Sequence, residues 1–137
     1  MAKAKTIALN VAVTAFIAII LIWGTTWYRQ MSQFSRGEAA FAAGDSTAAI
    51  AGYEAALHMY TPASPLNERA ATRLLALGEA LERRGDLDRA LIAYRSLRSS
   101  WYAVCWLTQP GEEWIARCDR KITELVQVQA QIDQHKR

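Results

Sequence analysis

Cysteine and histidine are the usual ligands of structural zinc, and this sequence has few of them. They are Cys105, Cys118, His58 and His135. Structural zinc needs four such ligands, usually in closely spaced pairs, and these four residues form no such pair. The sequence therefore predicts no metal site and no cofactor.

Adjacent carboxylates at Glu112 and Glu113 are the next candidates for chemistry. Neighbouring residues on a helix point about 100° apart, so the two groups would not converge on one substrate atom. After Pro110 and Gly111 they instead suit the first turn of a helix, where the dipole favours negative charge. The sequence also lacks a glycine-rich phosphate loop and an ordered serine, histidine and aspartate set. We therefore predict that the protein is not an enzyme.

Cys105 and Cys118 could form a disulfide bond if the compartment is oxidising. They lie about four residues before and about nine after a turn near residue 109, an asymmetry that disfavours the short Cα separation a disulfide needs. The two alternatives are a bridge and a pair of buried thiols.

The net charge of +3 does not indicate nucleic-acid binding. The N-terminal residues Lys3 and Lys5 account for most of it, because the remaining basic residues nearly balance the 13 acidic ones. These charges are interspersed and form no basic stripe of the kind that phosphate binding needs. No nucleic-acid partner is expected.

A long uncharged segment stands near the N-terminus. It extends from Ile7 to Tyr28, and a helix over residues 6–28 would be about 33 Å long, enough for a hydrocarbon core of about 30 Å. Trp23 and Trp27 near its end suit the headgroup region, where aromatic rings are enriched. The sequence therefore predicts one transmembrane helix.

The residues on either side of this segment indicate whether it is cleaved and how it is oriented in the membrane. A cleavable signal peptide is the alternative, but the apolar run exceeds about 15 residues and no small-x-small site follows it. We expect an uncleaved anchor after a basic tail, residues 1–5. We expect this tail, and not Arg29 and Arg36, to set the orientation of the helix. Short tails follow the positive-inside rule, whereas folded domains translocate largely regardless of charge. The prediction is a single-pass protein of the bacterial inner membrane, with a cytoplasmic N-terminus and domain 29–137 in the periplasm.

One face of the predicted span carries residues that favour helix pairing in lipid. Asn10 and Thr14 are one turn apart, and Ala8, Ala12 and Ala15 form a strip of small side chains. Close approach and interhelical hydrogen bonds drive association in membranes. The alternative is that Asn10 lies near the interface and is hydrated.

The rest of the chain predicts an all-α fold. It is rich in Ala, Leu, Glu and Arg, and it has almost no alternating pattern. Gly44-Asp45 and Gly85-Asp86 each combine a helix-ending glycine with an aspartate that can cap the next helix. The predicted helices lie near 30–43, 46–60, 66–84, 87–104 and 111–134.

Part of the sequence repeats after 41 positions. The recurring residues are Gly37, Gly44, Asp45, Ala49 and Tyr53, which return as Gly78, Gly85, Asp86, Ala90 and Tyr94. The pattern resembles the tetratricopeptide repeat (TPR) over roughly residues 31–104. This resemblance implies two TPR-like helical hairpins. Their small residues would let paired helices approach closely, and their tyrosines would fill the groove between successive hairpins.

The repeat pattern stops before Pro110, which would break a helix. The apolar stripe that follows predicts a capping helix, 111–134, over the second hairpin. The aromatic segment from Trp101 to Leu107 either packs beneath this cap or forms an exposed patch for a partner.

The resemblance also implies a binding groove, because TPR proteins hold peptides on the first helices of their pairs. The corresponding residues here are Phe34, Glu38, Phe41, Thr72, Leu75, Glu79 and Arg83. The alternative is that these side chains only contact neighbouring helices.

Together these features predict a non-catalytic, membrane-anchored scaffold, an accessory subunit that binds a membrane complex or a periplasmic protein. Two repeats and a cap fall short of the roughly three that such arrays need, so a partner would complete the fold. The alternative function is a periplasmic chaperone-like factor for secreted or translocated proteins. The sequence identifies neither the partner nor the process.

Overall fold

The computed structural model describes residues 2–105 and 110–135, and these residues form α-helices without any strand. The helices are α1 (Ala2–Ala42), α2 (Ser46–His58), α3 (Pro65–Arg83), α4 (Leu87–Val104) and α5 (Glu112–His135). The prediction of an all-helical fold with one long apolar N-terminal helix is confirmed.

α1 is a single helix of 41 residues, about 60 Å long. The sequence analysis expected separate helices over 6–28 and 30–43, but nothing in between breaks the helix. The hydroxyls of Thr25 and Thr26 donate to carbonyls one turn earlier, so these polar groups are satisfied inside the helix. α1 is long and apolar enough to cross a membrane, and none of its most apolar stretch is buried.

Two turns that the sequence predicted are confirmed in detail. Gly44 and Gly85 both have a φ of +77°, a left-handed conformation that glycine adopts without a steric penalty. Asp45 accepts a hydrogen bond from the Ala48 amide at 3.0 Å, and Asp86 accepts one from the Arg89 amide at 3.2 Å. Each turn therefore ends one helix and caps the next.

The C-terminal half of α1 pairs with α2, and α3 pairs with α4, as two antiparallel hairpins. In each hairpin a tyrosine ring lies against a glycine. A Cβ atom on Gly37 would lie 2.8 Å from the Tyr53 ring, and one on Gly78 would lie 2.7 Å from the Tyr94 ring. The tyrosines thus fill space within their own hairpins, and their predicted position in the groove between successive hairpins stays a prediction. The TPR resemblance stays a prediction.

α5 packs antiparallel to α4. Arg98 forms an ion pair with Asp119, and Gln129 donates to Asp88 at 2.7 Å. The inner side of α5 buries Cys118 completely. α5 begins at residue 112 and ends at residue 135, one residue later at each end than the predicted capping helix.

The alternating helix directions give the domain two distinct ends. The connection between α2 and α3 (59–64) and the described residues of the connection between α4 and α5 (105, 110 and 111) lie at the end where α1 leaves its exposed apolar segment. We call this end the base. The glycine turns after α1 and α3 lie at the opposite, distal end.

Candidate interaction site

The structure places two of the predicted groove residues in the core. Phe34 is 5% exposed and Leu75 is 7% exposed. The Phe34 ring packs against Tyr53 with ring centroids 5.8 Å apart, and the Arg69 guanidinium lies over its other side. These two side chains contact neighbouring helices, so their assignment to a groove was wrong. The TPR resemblance predicts which face of a helix a residue occupies, but the packing of the helices decides whether that residue is buried.

Four other predicted groove residues are accessible. Phe41 is 47% exposed, Thr72 and Arg83 are exposed, and Glu79 is half-buried. Glu79 and Arg83 also line a shallow depression that Lys121 of α5 borders. We call these four residues, on α1 and α3, the α1/α3 face. It combines one large apolar side chain with charges of both signs.

Glu38, the remaining groove residue, joins three helices. The Tyr53 hydroxyl of α2 donates to Glu38 Oε1 at 2.7 Å, and the Arg73 guanidinium of α3 contacts the same carboxylate at 2.9 Å and 3.0 Å. Burial raises the pKa of Tyr53, and the Glu38 carboxylate raises it further. Glu38 therefore links the first hairpin to α3.

A second link of the same kind joins the second hairpin to α5. The Tyr94 hydroxyl donates to Glu82 Oε2 at 2.9 Å, and Lys121 Nζ lies 3.2 Å from the same oxygen. Burial and then Glu82 raise the pKa of Tyr94. The repeat did not reveal this link, because the residue 41 positions after Glu38 is Glu79.

A buried polar cluster ties α1 to the basal loop 59–64. Ser64 Oγ donates to Gln30 Oε1 at 2.9 Å, and Gln30 Nε2 donates to Asn67 Oδ1 at 2.6 Å. Asn67 Nδ2 donates to the Thr61 carbonyl at 2.8 Å. All four side chains are buried. The sequence does not predict this cluster, because no sequence pattern links Gln30, which follows the apolar segment, to a loop over 30 residues away.

Beside this cluster, the basal loop and α1 enclose an apolar crease of about 250 Å³. Its lining residues are Ile19, Ile22, Trp23, Thr26, Tyr60, Thr61 and Pro62. The loop thus lies next to residues of the predicted span, and no spacer separates the domain from that segment.

The aromatic segment that begins in the last turn of α4 divides between the two predicted alternatives. Trp101 is buried, and its ring lies so close to Gly111 that a Cβ atom there would collide with the indole. The Trp101 and Tyr60 rings have centroids 6.3 Å apart. Tyr102 is 50% exposed. Trp106 and Leu107 lie outside the described residues.

Cys105 and Cys118 are free thiols in the structure, so it does not contain the disulfide that the sequence left open. The antiparallel register of α4 and α5 explains this, because it places Cys118 beside α4 about 9 Å along the helix from Cys105. A disulfide needs Cα atoms closer than about 7 Å. Burial raises the pKa of the Cys118 thiol to about 11.

The residues predicted to pair helices within lipid all lie on exposed positions of α1. They are Ala8, Asn10, Ala12, Thr14 and Ala15. The Thr14 hydroxyl donates to the Asn10 carbonyl of its own helix at 2.8 Å. Within residues 2–105 and 110–135, no three His, Cys, Asp or Glu side chains cluster in a way that could hold a metal ion.

Comparison with known proteins gives no match, whether with family models, curated proteins or solved structures. The geometry of this chain is therefore the basis for the function proposed below.

Proposed function

We propose that this protein is a membrane-anchored, non-catalytic interaction scaffold. It serves as an accessory subunit of a bacterial inner-membrane complex, with its N-terminus in the cytoplasm and its TPR-like domain in the periplasm. One observation carries the proposal. The exposed apolar segment of α1 continues without a break into the helix that forms the first hairpin. An anchor built in this way fixes the direction in which the domain faces.

The buried polar cluster supports this reading, because it holds the base of the domain to the side of α1. Gln30 contacts both Ser64 and Asn67, so the basal loop cannot swing away without breaking buried hydrogen bonds. The α1/α3 face is then held at a fixed distance from the end of the predicted span. Phe41 is 14 residues beyond Trp27, or about 20 Å along the helix axis.

The chemistry of the α1/α3 face fits a protein partner. An exposed aromatic residue and charges of both signs are the kinds of side chain that form a hot spot and its polar rim. Phe41 supplies the apolar anchor, while Glu79 and Arg83 supply the charges. A partner on this face would lie close to the membrane and beside the first hairpin.

Photocrosslinking from Phe41 tests the proposal. A photoreactive phenylalanine analogue would replace Phe41 in the full chain, expressed in a bacterium and irradiated in intact inner membranes. Ile92 on α4 is the matched control, because it is also apolar and 52% exposed but lies outside the α1/α3 face. We expect one or a few defined adducts with membrane or periplasmic proteins from position 41 and none of these from position 92.

Two results would contradict the proposal. Identical adducts at both positions would show that the α1/α3 face has no special role, and a broad mixture of secreted proteins would favour the chaperone-like alternative. Topology is tested separately with reporter fusions at each end. A reporter active in the cytoplasm at the C-terminus would overturn the periplasmic assignment.

A further inference from the structure

We propose that the base of the domain is itself a membrane-binding surface, which rests among the lipid headgroups and upper acyl chains of the leaflet from which α1 emerges. The proposal rests on the membrane anchoring proposed above. Its ligand is the lipid of that same bilayer, and a protein partner at the base is an outcome that the experiment must exclude.

The depth of the basal loop is the first argument. A hydrocarbon core of about 30 Å takes about 20 helical residues, so a core that begins near Ile7 ends near Thr26. Tyr60 and Pro62 line the crease together with α1 residues from Ile19 to Thr26, so this part of the loop is level with the last turns before that boundary. A loop at this depth contacts lipid if α1 crosses the membrane.

The distribution of charge along the sequence agrees with this depth. Residues 59–67 and 99–111, which contain the two basal connections, are all uncharged. The distal turns differ, because Asp45 lies in one of them and Arg84 and Asp86 lie in the other. Asp45 and Asp86 serve as helix caps, so the informative observation is the uncharged basal connections, because charged side chains are costly in the apolar part of a bilayer.

Aromatic residues are concentrated at the same end. Every tryptophan that the structure describes lies there, namely Trp23, Trp27, Trp101 and Trp114. Tyr60 joins them from the loop 59–64 and Tyr102 from the last turn of α4, whereas Trp101 is buried and does not face lipid. Tryptophan and tyrosine are enriched at membrane interfaces, where one part of the ring is apolar and the other meets water. Folding therefore gathers an interfacial belt from several helices.

Arginines accompany two of these rings on the side away from the base. The Arg98 guanidinium lies 5.0 Å from the centre of the Tyr102 ring, and that of Arg117 lies 5.4 Å from the centre of the Trp114 ring. Each arginine is about one turn further from the base than its aromatic partner. Arg98 is already paired with Asp119, so Arg117 is the cation above the aromatic layer that is placed for lipid phosphates.

Several polar groups of the basal loop are hydrogen-bonded within the domain, which lowers the cost of contact with lipid. The Thr61 carbonyl accepts from both the Ser64 amide and Asn67 Nδ2, and the Thr61 hydroxyl donates to the Met59 carbonyl. Pro62 has no amide hydrogen to satisfy. The loop can therefore meet acyl chains without exposing these groups to them.

Fluorescent labels in the full chain test the proposal. Single cysteines are introduced on a Cys105→Ser background and labelled with an environment-sensitive dye: Ala63→Cys and Ala103→Cys at the base, Ala43→Cys at the distal end and Val13→Cys within the predicted span. The first three positions are exposed alanines, which makes position 43 a matched control. Each protein is reconstituted into phosphatidylcholine–phosphatidylglycerol vesicles that contain nitroxide-labelled lipids.

The native Cys118 does not disturb this design. It is completely buried and its thiol has a raised pKa, so the folded protein should not take up label there. The Cys105→Ser protein without an added cysteine measures any background.

We expect labels at 63 and 103 to be quenched several-fold more strongly than the label at 43 by lipids with the nitroxide near the headgroup. Aqueous iodide should quench in the opposite order. If the labels at 63 and 103 are quenched no more than the label at 43, while the label at 13 is quenched by nitroxides near the chain ends, α1 spans the membrane but the base does not bind lipid. That result would overturn the proposal. If position 13 is not quenched, the anchor fails and both proposals fall.

Two further results complete the test. Labels at 63 and 103 that are protected from iodide but unaffected by lipid nitroxides would mean that protein covers the base, which overturns the proposal. Pro62→Asp should reduce lipid quenching at position 103 several-fold, and Thr47→Asp at the distal end should not. Circular dichroism of both variants shows that any loss is not caused by unfolding.

Discussion

Gly52 of α2 lies directly against the backbone of Gly37 in α1. A Cβ atom on Gly52 would stand 2.6 Å from both the Cα and the N atom of Gly37. No side chain can turn aside to relieve such a contact, because the atoms belong to the helix backbone itself. The first hairpin is therefore held at a helix separation that only two glycines permit.

Gly52→Ala should lower the free energy of unfolding by about 3 kcal/mol, because α1 and α2 must move apart and lose packing along the hairpin. Gly24→Ala is the matched control, since a Cβ atom there meets nothing within 4 Å. Urea unfolding in detergent micelles, followed by circular dichroism, measures both. A Gly52→Ala protein as stable as the Gly24→Ala protein would contradict the close approach.

Gln30→Leu should destabilise the base of the domain. The substitution leaves the Ser64 hydroxyl and the Asn67 side-chain oxygen without their Gln30 partner, at about 1–3 kcal/mol for each unpaired group. Amide exchange over residues 59–64 should accelerate along with the loss of stability. The exposed Gln127→Leu substitution on α5 is the control, and it should change neither measurement.

Tyr94→Phe should cost about 1–2 kcal/mol, since it removes a hydrogen bond to a charged carboxylate. A double-mutant cycle with Glu82→Gln should show that the two effects are coupled. Tyr102→Phe, at an exposed tyrosine, should leave stability unchanged. Additive effects of Tyr94→Phe and Glu82→Gln would mean that the hydrogen bond between them contributes nothing to stability.

Stability should fall in alkaline solution through Cys118. Its pKa rises from 9.0 to about 11 on folding, so above pH 9 the unfolded chain releases a proton that the folded chain retains. This contribution is fully present below pH 9 and is lost as pH rises towards 11, by about 2–3 kcal/mol in total. Tyr53 and Tyr94, whose pKa values are also raised, add to the loss only above about pH 10. Between pH 9 and pH 10, Cys118→Ala should therefore flatten the pH dependence of the free energy of unfolding.

The turns were the most predictable part of this fold. Gly44 and Asp45 specify the end of one helix and the cap of the next through contacts within a few residues, and such contacts are visible in sequence. The close approach at Gly37 was also expected, because a glycine and a tyrosine recur at fixed spacing. Both inferences needed only local geometry or an internal repeat.

The candidate site was less predictable, because it depends on contacts between distant segments. Gln30 resembles any polar residue at the end of an apolar segment, and only the folded chain brings Asn67 beside it. The family register places Phe34 in a groove, but its ring packs in the core against Tyr53 of α2. The repeat did not predict the bond between Tyr94 and Glu82, because the residue equivalent to Glu38 is Glu79, one turn away.

If α1 crosses the membrane, its unbroken length makes it a lever arm. Its 16 residues beyond Thr26 extend about 24 Å, so a tilt of about 20°, common for membrane helices, would carry Ala42 sideways by about 8 Å. Tilt depends on the match between helix length and bilayer thickness. A change in membrane thickness would therefore be converted, through a rigid rod, into a displacement of Phe41 and the surface around it.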